Sequence, residues 1–242
     1  MEPLIRVSGL SYRYDDGAQA LDGVDFTLFA GETVALFGPN GSGKTTFLLH
    51  LVGLLHNGGD IQVCGVPVDK TNLAFVRRKV GILFQDSDDQ LFMPTVFDDV
   101  AFGPLNLGLT VEEVERRVGC CLSLVGMEAA AGRAPYHLSA GEKRRVALAG
   151  VLAMEPEILV LDEPATFLDP PGRAALLELL RPLRQAKIIV THDVELAQEL
   201  ATRAVFFSRG KIVASGSVEQ IVERFGWAGS RRCPAGAAGL TG

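Results

Sequence analysis

The sequence has few cysteines, no long apolar run, no excess of positive charge and no internal repeat. Each absence excludes a class of protein. The four cysteines, Cys64, Cys120, Cys121 and Cys233, show no C-x-x-C spacing and have no clustered histidine beside them. That argues against a disulfide framework or a thiolate metal site and suits a reducing cytoplasm. Cys120 and Cys121 lie in an amphipathic stretch and are expected to pack. The segment Met1 to Gly9 has no apolar core of the kind a secretory leader needs. The longest apolar stretches, such as Phe47 to Leu55, fall short of a bilayer and are broken by His50 and Gly53. A soluble chain is predicted, with docking on a membrane protein left open. The formal net charge of -6 argues against nucleic acid as the main partner, because neutralising phosphates takes a basic face. What is present is apolar residue in quantity, 48% of 242 residues. That supports a large core in one α/β domain, with room for an inserted subdomain.

Short apolar runs alternate with helical patterns, the signature of a mostly parallel sheet covered by helices. Thr33–Phe37 ends at Gly38. Ile82–Phe84 ends at Gln85. Ile158–Leu161 ends at Asp162 and Glu163, and Lys187–Val190 leads to Thr191 and His192. Ligands of parallel sheets bind beyond the carboxyl ends of the strands, where all four runs release polar residues. Leu4 to Phe29 reads as two or three shorter strands of mixed polarity, an antiparallel edge or a second small sheet. Ala204–Phe207 and Lys211–Ser215 flank Arg209-Gly210 as a hairpin. Helices are predicted at Lys44–Leu55, Val111–Val125, Gly141–Met154, Arg173–Leu180, Val194–Ala201 and Val218–Phe225, with a Thr110/Glu113 capping box opening the second. Residues 86–153 hold no strong strand and read as a helical insertion into a domain spanning 1–225. Residues 226–242, rich in Gly and Ala, are expected to be a disordered tail.

Gly38-Pro39-Asn40-Gly41-Ser42-Gly43-Lys44-Thr45, followed by Thr46, matches G-x-x-x-x-G-K-[ST] between a predicted strand and a predicted helix. The glycines let backbone N–H groups turn onto phosphate oxygens, and the helix N-terminus adds its positive dipole end. Lys44 brings a charge to the β- and γ-phosphates of ATP. Thr45 offers a hydroxyl to Mg²⁺. The carboxylates ending the third strand divide the work: Asp162 holds Mg²⁺ or its water shell, and Glu163 orients or deprotonates an attacking water. Leu138-Ser139-Ala140-Gly141-Glu142 lies upstream and, read from its residues alone, is a helix cap of the S-x-x-E type.

That segment closely resembles the LSGGQ signature of ATP-binding-cassette (ABC) ATPases, and the other motifs follow in that family's order from about Leu4 to Ser217. The resemblance implies a P-loop NTPase fold with an N-terminal antiparallel β part and an inserted helical subdomain. It implies ATP hydrolysis with ATP and Mg²⁺ as ligands. Gln85 resembles the glutamine placed near Mg²⁺ and the transporter interface, and His192 the histidine that contacts the γ-phosphate. Tyr14 sits where the family stacks an aromatic on adenine, with Tyr12 as its competitor. Leu168-Asp169 resembles the end of the D-loop. Ser139 and Gly141 are implied to reach ATP bound to a second subunit, identical or closely related, in a head-to-tail dimer. Ala140 replaces the signature's first glycine, and Phe167 stands where a small residue is usual.

Phe84-Gln-Asp-Ser-Asp-Asp-Gln-Leu-Phe92, Thr95-Val96 and Asp98-Asp-Val-Ala-Phe-Gly-Pro-Leu-Asn-Leu-Gly108 resemble the energy-coupling-factor ATPases, and the stretches Ala101 to Leu109 and Gly141 to Pro164 are most similar to the cobalt/nickel members. This implies a subunit on the cytoplasmic face of the cell membrane. It would energise an importer through a transmembrane coupling subunit and a substrate-binding membrane subunit. A vitamin importer of the same design and a soluble assembly or repair ATPase are the other readings. Leu91, Phe92, Met93, Val96 and Phe97 either dock the membrane partner or fill the helical subdomain's own core. Lys143, Arg144 and Arg145 read as a solvated helix face.

Overall fold

The computed structural model describes residues 2–227 apart from 57 and 167. The expectation for Phe167, and that for the tail from residue 228 on, lie outside the described residues. In chain order the elements are β1 (Ile5–Arg13), β2 (Gln19–Leu28), β3 (Thr33–Phe37), α1 (Lys44–Leu51), β4 (Asp60–Val63), β5 (Val66–Pro67), α2 (Leu73–Lys79) and β6 (Val80–Leu83). Then come α3 (Val96–Asn106), α4 (Val111–Leu124), α5 (Ala140–Ala153), β7 (Ile158–Asp162), α6 (Pro170–Leu180), β8 (Ala186–Val190), α7 (Val194–Leu200), β9 (Arg203–Ser208), β10 (Lys211–Gly216) and α8 (Val218–Phe225).

The central sheet has six strands in the order β10-β9-β3-β8-β7-β6, parallel except for β10. Strands β3, β7 and β8 are buried at every position. A parallel strand covered on both faces has no polar side to show, so its sequence is a near-continuous apolar run rather than an alternation. The order sets the carboxyl ends of β3, β8, β7 and β6 side by side. Four segments far apart in sequence thus open onto one edge.

A second sheet, antiparallel in the order β2-β1-β4-β5, packs its apolar face onto α1. Here the expected two or three short strands are two long ones, nine and ten residues. Register shifts along their pairing break the alternation that would have revealed their length. Between β6 and β7 the regular elements are all helical. Helices α3, α4 and α5 close on their own apolar cluster, including Val96, Val100, Val118 and Val146. Thr110 caps α4 by accepting from the Glu113 N–H at 3.4 Å. The Glu113 side chain does not complete the box. It binds Arg116 and Arg117 instead, at 2.8 and 2.9 Å, which holds its carboxyl down at about 2. Ser139 and Glu142 do form the reciprocal box at α5.

Candidate nucleotide site

The loop leaving β3 has no space for side chains at two glycines. Gly38 has φ +147°, and a Cβ there would come within 2.3 Å of the Phe207 carbonyl oxygen. Gly43 has φ +105°, and its Cβ would meet the Ala20 carbonyl oxygen at 2.5 Å. Both dihedral and contact demand glycine, and the loop is thereby seated against β9 and the start of β2. Lys44 follows, buried, with Nζ donating to the carbonyls of Gly38 at 2.7 Å and Pro39 at 3.0 Å. Burial pushes its ammonium pKa down, against the opposing pull of Glu163 and Asp162. The Ser42 hydroxyl is buried without a partner among the described residues, a free donor in a loop shaped for an anion.

The end of β7 brings up the carboxylates. Thr45 Oγ1 donates to Asp162 Oδ2 at 3.3 Å. Glu163 turns back with φ +47°, a conformation side-chain-bearing residues adopt at a cost, and its N–H is tied to the Val190 carbonyl at 2.9 Å. Its carboxylate accepts from the His192 N–H at 3.3 Å and from Thr166 Oγ1 at 3.4 Å. His192 Nε2 lies 3.2 Å from its other oxygen. Burial pushes both acids above the ordinary carboxylate range, and Asp162 raises Glu163 further. Burial, then Lys44, pushes His192 down, so its imidazole is neutral at physiological pH. A carboxylate made more basic than usual, a neutral imidazole, an ammonium and a backbone cradle therefore converge on one cleft.

At the far wall, the Tyr14 hydroxyl meets Thr46 Oγ1 at 2.9 Å, and Tyr14 lines the cleft with Asn40 and Gly41. Tyr12 instead packs its ring edge-on to the buried His50, 4.7 Å between centroids. Gln85 reaches the cleft from the end of β6. Ser139 and Gly141 do not. They line a separate hollow with Leu168 and Asp169.

The solvated face expected at residues 143–145 is not found. Arg144 is buried, donating Nη1 to the Phe84 carbonyl at 2.9 Å and Nη2 to the Gln85 carbonyl at 2.6 Å. Lys143 pairs with Asp88 at 2.5 Å, and Arg145 reaches the Met127 sulfur at 3.6 Å. The carbonyls come from some sixty residues upstream, so no local pattern announces them. Helix α5 thus grips the segment that carries Gln85. Replacing Arg144 with Lys keeps the charge but loses the two-pronged grip. Stability is expected to fall by about 1–2 kcal/mol in urea unfolding, with faster hydrogen exchange at the Phe84 amide.

A phosphate-cradling loop between strand and helix, with acids at the end of a parallel strand one further along the same sheet, defines a P-loop nucleoside triphosphatase. The family model for ABC transporters matches residues 21–166. The energy-coupling factor transporter ATP-binding protein EcfA of Methanocaldococcus jannaschii is 46% identical over 224 residues, covering 90% of this chain and 80% of its own. Its namesake from Methanothermobacter thermautotrophicus is 49% identical, covering 90% of this chain and 72% of its own. Among solved structures, CbiO1 from Clostridium perfringens, part of the ABC transporter complex CbiONQ, superposes with TM-score 0.82 at 34% identity, covering 93% of this chain and 92% of that one. A dimeric ATP-binding cassette in a post-hydrolysis state with ADP and Pi gives TM-score 0.80 at 27% identity, covering 88% and 98%. This chain belongs to the ABC transporter family and is one of its ATPase cassettes.

Proposed function

We propose that the chain is the ATP-hydrolysing subunit of an energy-coupling-factor importer that takes up cobalt or nickel ions. The observation that carries the reading is the likeness to CbiO1 along nearly the whole chain, together with the EcfA relatives. Among the described residues no helix is long and apolar enough to cross a membrane. The path for the ion therefore belongs to membrane partners, and this subunit sits on their cytoplasmic face.

The active unit is a head-to-tail dimer with a copy or close homologue. Gly141 supports this. A methyl group there would meet its nearest neighbour within the chain, Leu168, at an ordinary 3.6 Å. The chain's own fold does not require glycine at 141, whereas a phosphate from a second subunit would. Ser139 and Gly141, outside the chain's own cleft, complete the partner's site, with the methyl of Ala140 tightening that contact. In the cleft, Tyr14 stacks on adenine, and the loop 38–43 with Lys44, Thr45 and Thr46 holds the phosphates. Mg²⁺ suits Thr45 Oγ1 and Asp162 Oδ2, two hard oxygen donors 3.3 Å apart. Among the described residues no three His, Cys, Asp or Glu side chains gather to hold a metal unaided. That fits an ion which takes most of its ligands from phosphates and water, and Gln85 adds its side chain on the interface side. Such an ion would neutralise charge on the phosphates. Glu163 accepts a proton from the attacking water, and His192 steadies the γ-phosphate.

The membrane subunit docks on the groove beside Gln85. The five apolar residues there divide. Val96 is fully buried in the helical core and Phe97 packs against it. Phe92 is 63% exposed, edge-on to the half-exposed Phe102 at 5.0 Å. Phe92→Glu is expected to leave the fold and the ATPase of the isolated subunit unchanged while abolishing co-purification with the membrane subunit and uptake of labelled Co²⁺ and Ni²⁺. Uptake of neither ion by cells carrying the native gene, against a deletion strain, would overturn the substrate assignment.

A further inference from the structure

The chain has one tryptophan, Trp227, and it stacks on His192. The ring centroids are 5.4 Å apart and the planes 24° from parallel. The indole is itself wedged. It meets Phe206 of β9 edge-on at 5.3 Å and Phe37, the residue before Gly38, at 6.4 Å. Phe206 in turn lies flat on Phe225 of α8, 3.8 Å away.

Backbone geometry explains how the indole gets there. Helix α8 opens with a Ser217/Gln220 capping box and ends at Gly226, which has φ +58°. The Gly226 N–H bonds the Glu223 carbonyl, and the Trp227 N–H bonds the Val222 carbonyl at 2.9 Å. A left-handed glycine followed by this return bond reverses the chain sharply at a helix end. The reversal turns Trp227 back toward the sheet instead of outward along the helix axis. Gly226 and Trp227, the first two residues of the expected tail, carry this cap.

His192 needs such a support. It lies beyond β8 with its side chain 45% exposed and Nε2 3.2 Å from Glu163 Oε1, an edge contact without hydrogen-bond alignment. One edge contact leaves the ring free to swing about it, whereas a flat partner fixes the ring plane. An exposed group that must meet a phosphate oxygen in a narrow range of angles gains from being oriented beforehand.

We propose that Trp227 is a positioning residue for His192, holding the imidazole in the orientation in which it meets the γ-phosphate. This rests on the role given to His192 above, and the experiment separates the two. Trp227→Ala is expected to lower kcat by about 3- to 10-fold, the range of one aromatic pair, with KM for ATP changed less than about twofold. Trp227→Phe recovers most of the rate. In a His192→Ala background the Trp227→Ala change has no further effect, because there is no ring left to orient. Emission of the single tryptophan in an otherwise native chain shifts on adding Mg²⁺ and ATP and does not shift on adding AMP. In His192→Ala that response is lost.

Full activity in His192→Ala would remove the role of His192 itself. A slow His192→Ala beside a Trp227→Ala of native rate would overturn the positioning role alone. So would multiplicative effects in the double variant. Should Trp227→Ala fail to fold, Trp227→Leu carries the same cycle, and native kcat there would be equally decisive.

Discussion

Glu163→Gln is expected to bind ATP, to dimerise on it, and to turn over about 10²- to 10⁴-fold more slowly, the range for removing a positioned general base. The buried carboxylate is held by two donors and lines the same cleft as Asn40, Gly41 and Lys44, and the amide keeps its shape without its basicity. The same variant should be more stable. Asp162 and Glu163 have folded-state pKa values above their unfolded ones. Such a group adds stability in its protonated form, present below the unfolded pKa, and that contribution is lost as pH rises through the folded value. At pH 7, above the ordinary Glu value, burying Glu163 is therefore a cost to the fold. Glu163→Gln is expected to raise Tm at pH 7. The gain shrinks toward zero below about pH 4.5, the ordinary Glu value. Native turnover should show an acid limb at higher pH than a free carboxylate gives. Scanning calorimetry at pH 7 and pH 4, with steady-state ATPase across pH, checks all three. Turnover at the native rate in the variant would remove Glu163 from the chemistry.

Lys44→Met is expected to weaken ATP binding about 100-fold while leaving AMP within about threefold. The methionine keeps the buried stem, so packing changes little, but removes a desolvated charge that hydrogen-bonds its own loop. Truncating such a charge typically costs 2–5 kcal/mol, about 30-fold or more. On the proposed reading Lys44 meets the terminal phosphates, which AMP lacks, so AMP reports on the rest of the cleft, including the wall at Tyr14. Titration calorimetry with both nucleotides distinguishes the cases. Equal loss for both would mean that Lys44 serves the shape of the loop and not the charge of its ligand.

What the sequence disclosed depended on whether the decisive neighbours were local. Strands β3, β7 and β8 are apolar throughout because both faces are covered, and such runs end visibly at Gly38, Asp162 and Thr191. The β6 segment showed the same way, though its strand starts two residues earlier and stops one earlier than read. Strand β4, Asp-Ile-Gln-Val, went unread because only one of its faces is covered and it is too short to alternate convincingly. The α2 and α3 helices were missed for different reasons. The seven residues of α2 bury only Val76, and α3 carries Gly103 and Pro104 in its last turn. The pairing of Tyr12 with His50, which leaves Tyr14 to the cleft, depends on a partner on another element. Arg144 could not be read at all, since a basic run on a helix looks the same whether it meets water or two distant carbonyls. The left-handed turn at Glu163 was equally silent, as any residue type can sit in front of a Pro-Ala sequence.

The strand order has a consequence for how the protein is made. Strand β3 hydrogen-bonds β8 on one side and β9 on the other, with Leu36 beside Val190 and Val205. The phosphate loop is thus spelled out early but cannot be seated until the last third of the chain has left the ribosome. Its glycines lean on the Phe207 and Ala20 carbonyls, one of them a product of late synthesis. Nascent chains halted before β8 would carry the whole motif and still have no affinity for ATP. The long wait between writing and docking leaves β3 an unpaired apolar strand, so this segment is where a chaperone would be expected to bind during translation.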